Sequence, residues 1–468
     1  MPDLLLDLDL DLGSAPSSGR RRALEGALRS AIGDGRLVPG ADMPSTRSLA
    51  TDLGISRSTV VGAYEQLAIE GYLVTRQGAR TRVAHTRLPA AVLERPAGEE
   101  RTFRYDFRPG SPAVGLFPRG AWLRSTRTVL QSAPDSAFDY GDPRGSAMLR
   151  AALASYLGRA RAVAGGPESV RIYGGFFAAV SFIAEAFGAL GHRAVAVEEP
   201  SLHVVRDLLE RSRLTVAPVP VDERGIVVET LDKLDVDAVL VTPSHQYPTG
   251  VTMAPGRRRE LIDWARAGDR WIIEDDYDGE FRYDRQPVGV LQGLAPDRVI
   301  YAGTASKTLA PGLRLAWLVV PEGFRQTLDE VTQLRAGVST IEQLTLADVI
   351  RRGELDRRIR LARTVYRRRR ETLTARLANI EWLAPWGSTP AGLHLTVVSD
   401  RLDEESLVAA AADVGIGLFG LGVHWHGRPE RCGLVLGFTR PPEHGFSEAV
   451  DHLFRFLESP PKPASLAR

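Results

Sequence analysis

Apolar residues recur along this chain in two rhythms. Between 19 and 84 they fall at helical spacing, as in Val60, Ala63, Tyr64 and Leu67, which predicts helices with one buried face. From about 104 to 456 short unbroken apolar runs at 194–197, 238–241 and 271–273 alternate with helical stretches. Continuous apolar runs predict strands buried on both faces, so this region is expected to be an α/β domain with a mostly parallel sheet. Long helical periodicity returns at 319–376, and 377–456 mixes strands and helices into a smaller subdomain. Residues 1–18 alternate Leu with Asp before a Ser/Pro/Gly stretch and read as a flexible arm; 85–103 read as a linker and 457–468 as a disordered tail. The pattern shows no internal repeat.

Within 19–84 the local signals are specific. Ser45 precedes a short helical stretch that Gly54 stops, and a second helix opens after Ser56 at Arg57. Residues 74–83 then read as two short strands about Gly78. Two helices and a hairpin in this order predict a winged helix-turn-helix, whose second helix can enter a major groove with its N-terminal residues at base edges. The candidate DNA-contacting residues are Arg47, Ser56, Arg57, Ser58, Thr59, Tyr64, Arg76, Gln77 and Arg80. The segment holds ten arginines against six acids, a local charge of +4, while the 468-residue chain carries only +1. Affinity for nucleic acid is therefore expected from this patch.

Composition adds one sharp signal. Of 59 basic residues only three are lysine: Lys233, Lys307 and Lys462. Lysine offers what arginine lacks, an amine that deprotonates when buried and attacks a carbonyl. Lys233 reads as a solvated helix end, and Lys462 lies in the proline-rich tail. Lys307 follows an apolar run and a small-residue turn, beside Thr304 and Ser306 and ahead of Arg314. That context suits a Schiff base next to a bound phosphate, the chemistry of pyridoxal 5'-phosphate (PLP). PLP also needs a carboxylate for its ring nitrogen, and the acidic run Glu274 to Asp278 ends the 271–273 strand. Tyr277 suits the phenolic oxygen. Arg314 suits the phosphate, as does the Gly174–Gly175 turn ahead of a helix starting near Phe176. Cys432 is the only cysteine and reads as a small buried residue, so no disulfide framework forms and a reducing cytoplasm is the expected location, nucleoid-associated through DNA. No run of about 18 apolar residues predicts a membrane span, and the interrupted N-terminus does not read as a signal peptide.

These motifs carry a resemblance. Residues 35–78 resemble the winged helix-turn-helix of GntR-type regulators. FRPGSPAVGLFPRGAW (107–122), YGDPRG (140–145), TPSHQYPTG (242–250), EDDYDGEFRY (274–283) and TASKTLAPGLR (304–314) resemble fold-type-I aminotransferases. The pair of domains resembles the MocR/PdxR subfamily, over nearly all of 19–456. The resemblance implies that Lys307 holds the PLP aldehyde, Asp275 faces the pyridine nitrogen, and Tyr277 lies near the phenolic oxygen. It also implies that Ser306 and Arg314 lie near the phosphate, where the direct reading adds Thr304, Gly175 and Phe176, with His245 in the loop beside the ring. It implies a homodimer, domain-swapped head to tail, and an effector that is PLP or an amino-acid-like ligand.

Three positions depart from the pattern. Gly175-Phe176-Phe177-Ala178 lacks the family's glutamine. Leu202 stands where a ring-stacking tyrosine is frequent, with His203 as a neighbouring substitute. Val435 occupies the place of the arginine that grips an α-carboxylate, and neither Arg431 nor Arg440 fits its register. A PLP-sensing regulator is therefore favoured over an active aminotransferase, and over a regulator that has lost PLP and keeps the fold for dimerisation. Arg367 to Arg370 read as a solvated helix face, and His424-Trp425-His426 as too sparse for a metal, so no metal is expected.

Overall fold

The computed structural model describes residues 19–33, 37–75, 80–84, 102–284, 288–333, 337–387, 389–400 and 402–459. The arm at 1–18, the linker to residue 101 and the last nine residues lie outside the described residues. The chain divides into two compact units, one within 1–101 and one from 102 onward.

The small unit has three helices, Arg20–Gly33, Thr46–Asp52 and Arg57–Ile69, then an antiparallel pair of two-residue strands, Leu73–Val74 and Arg82–Val83. Its helix starts follow the capping chemistry read from the sequence. Ser45 Oγ accepts from the Ser48 amide, and Ser56 Oγ from the Thr59 amide. Gly54 turns the chain at φ +61°, a conformation that only glycine adopts freely. Val60, Ala63, Tyr64 and Leu67 pack with Leu24, Leu28 and Leu49 in one core.

The large unit is built on eight strands in the spatial order Val170–Tyr173, Ala316–Val319, Val299–Thr304, Trp271–Asp275, Ala238–Val241, Ala194–Glu199, Thr215–Asp222 and Gly225–Ile226. The five strands from Val299–Thr304 through Thr215–Asp222 pair in parallel. Ala316–Val319 runs antiparallel to both of its neighbours. Both faces of this sheet are buried, which is why its central strands read as unbroken apolar runs. The helical region at 319–376 resolves into Glu322–Thr332, Thr340–Arg351 and Glu354–Leu377. The last of these links two cores. Leu355 and Ile359 pack with the sheet side, and Tyr366, Leu373 and Leu377 pack with the smaller subdomain.

The subdomain holds a three-stranded antiparallel sheet, Ala384–Trp386, His394–Val398 and Gly433–Gly437, covered by Glu404–Asp413 and Phe446–Glu458. Two boundaries differ from expectation. Tyr105–Asp106 pairs in parallel with Ile416–Gly417, so the start of the large unit is part of the subdomain. The last helix runs through Glu458, past the expected boundary at 457, because Leu457 is fully buried. No described helix is long and apolar enough to cross a membrane.

Candidate functional site

Parallel strands deliver their carboxyl ends to one edge of a sheet, and ligands bind there in open α/β folds. That edge carries a cavity of about 270 Å³. Asp275 ends one strand and Thr304 the next, with Lys307 one turn beyond. Glu198, Ser201 and Leu202 come from a third strand end, Thr242, Tyr247 and Tyr277 from loops, and Leu393 and His394 from the subdomain.

Lys307 opens on this cavity, and its Nζ donates to the Gly110 carbonyl. Desolvation lowers the pKa of its amine, against the pull of Asp275 and Asp278. A lowered amine supplies more of the neutral, nucleophilic form. Asp275 is 8 % exposed, and burial raises its carboxyl well above the usual range while Lys307 draws it down. Neither oxygen of Asp275 is engaged in a hydrogen bond among the described residues, so it is positioned for a cationic or N–H partner.

At the opposite wall Gly175 adopts φ +114° ahead of the helix Phe176–Ala189. A Cβ there would lie 2.7 Å from Arg314 Nη2, so glycine is required both by the backbone and by the guanidinium. The first amides of that helix have no side-chain cap, leaving N–H groups for an anion. Arg314 is exposed and has no ion pair among the described residues. Ser306 is held by Thr304, whose Oγ1 accepts from the Ser306 amide and donates to Ser306 Oγ. These features fit PLP: an amine for the aldehyde, an unengaged carboxylate for the ring nitrogen, and an unpaired arginine with free amides for the phosphate. Arg314→Ala removes charged hydrogen bonds worth about 1.5–3 kcal/mol. It is expected to weaken PLP binding roughly ten- to a hundredfold, measured by titrating the visible band.

Several positions depart from the sequence expectation. Tyr277 lines the cavity, but its hydroxyl donates to the His245 carbonyl at 3.0 Å. His245 does not line the cavity. It lies one layer behind, 3 % exposed, with Nδ1 3.0 Å from Asp278 Oδ2 and 3.2 Å from Tyr277 Oη. Leu202 lines the cavity, whereas His203 packs on His424. His245, Asp278 and His394 place ligand atoms within 4.8 Å of one another. Hydrogen bonds already engage them, since His394 Nε2 donates to the Pro248 carbonyl. Burial holds the His394 imidazole well below its ordinary pKa. Val435 is fully buried. Arg440 pairs with Asp106 at 2.8 Å, and Arg431 stacks over Trp386. The cations lining the cavity are thus Lys307 and Arg314.

Two further expectations differ from the structure. Arg369 is buried and donates to the Phe438 and Thr439 carbonyls, and Arg370 donates to the Thr389 carbonyl; only Arg367 and Arg368 face outward. Cys432 is half-buried rather than buried. Glu198, Ser201, Thr242, Tyr247 and His394 were missed. Their only sequence signal is their place just after an apolar run or within a Pro/Gly-rich loop.

In the small unit Arg47, Ser56, Arg57 and Ser58 are exposed, and Thr59 is half-buried. The Ser56 hydroxyl lies 2.9 Å from that of Ser58 and 2.7 Å from that of Thr59, at the start of the helix Arg57–Ile69. Arg80 is exposed and pairs with Asp42, as does Arg82. Arg76 and Gln77 lie outside the described residues. Tyr64 is the exception, because it is 3 % exposed and donates to the Pro44 carbonyl. It packs in the core of the small unit rather than standing on its surface.

Comparison with known proteins agrees with both units. Residues 20–83 match the model of bacterial regulatory proteins of the gntR family, and 118–416 match aminotransferase class I and II. The chain is 32% identical to the pyridoxine biosynthesis transcriptional regulator PdxR of Corynebacterium glutamicum, over 93% of this chain and 95% of that protein. It is also 32% identical to the probable rhizopine catabolism regulatory protein MocR of Rhizobium meliloti, over 97% of each. The multiple substrate aminotransferase of Thermococcus profundus shares its fold, with a TM-score of 0.69 at 24% identity over 76% of this chain and 91% of that one. A winged helix-turn-helix joined to an aminotransferase-like domain, matched end to end, places this chain in the MocR/PdxR subfamily of GntR-type transcriptional regulators.

Proposed function

We propose that this regulator binds operator DNA as a homodimer and senses PLP, or an adduct of PLP with an amine, through the cavity at Lys307. The observation behind this reading is a set of groups around one cavity, none of them in an ion pair among the described residues: the Lys307 amine, the Asp275 carboxylate and the Arg314 guanidinium. Nothing in the fold alone requires that set. When bound, PLP supplies an electrophilic aldehyde and an electron-withdrawing ring. Lys307 would hold the aldehyde, Asp275 would face the ring nitrogen, and Arg314 with the helix amides would hold the phosphate. With Val435 in the strand and Arg440 tied to Asp106, no cation besides Lys307 and Arg314 lines the cavity among the described residues. This supports sensing over amino-acid turnover, and PLP itself as the effector, with vitamin B6 or amine metabolism as the controlled process. Borohydride reduction of the PLP-treated protein and peptide mapping test the assignment. The phosphopyridoxyl mass is expected on the peptide bearing Lys307, and an unlabelled peptide would count against it.

Dimerisation has support in the large unit. Val114, Leu123, Leu130, Phe138, Tyr140 and Met148 are all exposed, Tyr140 fully so. Such a concentration of exposed apolar side chains within 35 residues supports a protein interface in this region. By resemblance the dimer is head to tail, each DNA-binding unit associating with its partner's large unit. Ligand binding acts as a regulator only through different affinities for two arrangements of that dimer.

The DNA-binding role predicts a separable phenotype. Arg57→Ala is expected to weaken operator binding by about 1–3 kcal/mol if it reads a guanine edge, with the PLP absorbance unchanged. Fluorescence anisotropy beside the visible spectrum checks both. Loss of the PLP band in this variant would contradict the division of roles.

A further inference from the structure

One acidic side chain in the cavity has no part in the frame above. Glu198, near the end of Ala194–Glu199, is 2 % exposed and lines the cavity with Asp275. Its Oε2 accepts from the Thr242 amide at 3.1 Å, Thr242 Oγ1 at 2.6 Å and Gln246 Nε2 at 3.2 Å. Its Oε1 is buried with no hydrogen-bond partner among the described residues, and no described cation pairs with the carboxylate. A buried carboxylate oxygen without a donor is costly.

The surrounding titratable groups locate it. Asp275 at the end of the Trp271–Asp275 strand, Tyr277 in the loop beyond, Tyr247 in the 242–250 loop, His394 in the subdomain and Lys307 line the same cavity. Glu198 is among the charges that raise Asp275, whereas those acting on Lys307 are Asp275, Asp278 and Arg440. Glu198 thus lines the same cavity as Asp275 and opposes its ionisation. Burial raises its carboxyl to about 7. Two carboxyls at one buried end resist ionising together, and a cation between them relieves the repulsion.

We propose that Glu198 is a second carboxyl of the ring-nitrogen end, a positioning residue whose negative charge adds to that of Asp275 and favours a protonated pyridine ring. This rests on the PLP reading. Ligand binding then draws a proton off Glu198, and PLP affinity rises with pH as the carboxyl ionises.

The test is PLP affinity from the visible band, measured from pH 5.5 to 8.5 in wild type, Glu198→Gln and Glu198→Asp. The same series is run with a PLP analogue that carries CH in place of the ring nitrogen. Glu198→Gln is expected to match wild type at pH 5.5. It should bind PLP about tenfold more weakly at pH 8.5, the equivalent of one pKa unit. Glu198→Asp retains the pH dependence, and the analogue shows no gap between wild type and Glu198→Gln at any pH. An equal loss at both pH extremes, or an equal loss with the analogue, would mean that Glu198 only holds the Thr242–Gln246 loop, and would overturn the proposal. Absence of a band in wild type would overturn the PLP reading itself, a separate outcome.

Discussion

Arg161→Ala is expected to destabilise the large unit by about 3–5 kcal/mol, the usual consequence of removing one partner of a buried ion pair. Arg161 and Asp276 are both inaccessible to solvent, joined by two 2.7 Å hydrogen bonds. Arg161 also donates to Ser244 Oγ at 3.0 Å, and Tyr301 donates to Asp276 Oδ2 at 3.0 Å. Against the burial that would raise it, Arg161 holds the Asp276 carboxyl below its ordinary range. Removing the guanidinium leaves a buried carboxylate that must take up a proton, beside a cavity where the side chain stood. Asp276 directly follows the strand end that presents Asp275, so the same change disturbs the PLP cavity. Urea unfolding followed by tryptophan fluorescence checks this. A loss under about 1 kcal/mol would show that the site relaxes. The double variant Arg161→Met with Asp276→Leu is expected to lose less than Arg161→Ala, because no charge is left unpaired.

Lys307→Ala is expected to abolish the visible PLP band and the borohydride adduct, while basal DNA binding persists. Lys307→Arg should fail in the same way, because a guanidinium keeps the charge but does not deprotonate to a nucleophile. Among the described residues Lys307 is the lysine that reaches the cavity; Lys233 is exposed beyond the short helix Val228–Leu231. A band that survives in Lys307→Ala would place the attachment elsewhere. Loss of DNA binding together with the band would mean that the cofactor is needed for dimerisation as well as sensing.

Local chemistry explains what was legible in the sequence. The caps at Ser45 and Ser56, the unbroken apolar strands, and the scarcity of lysine each state a rule that involves only neighbouring residues. Lys307, Asp275, Arg314 and Gly175 came with those rules, since strand ends and turns position them directly. What escaped depends on contacts between distant parts of the chain. Tyr105–Asp106 pairs with Ile416–Gly417 across more than 300 residues. Arg161 sits at the end of a helix and reads as a surface arginine until Asp276 is brought against it. Tyr64 has two available readings, groove or core, and the 3.1 Å bond to the Pro44 carbonyl decides for the core. His245 was legible as a loop residue, but not as a member of the layer behind the cavity. Glu198 had no signal, because a glutamate at a strand end is ordinary until its neighbours leave one oxygen unpartnered.

The central claim is that occupancy of the Lys307 cavity changes DNA binding. Its most direct test is operator affinity with and without PLP, in wild type and Lys307→Ala, on a duplex selected from random DNA by the protein itself. The expected result is an affinity change of about 5- to 150-fold in wild type and none in Lys307→Ala. Equal affinities in wild type at a PLP concentration that saturates the visible band would contradict the account.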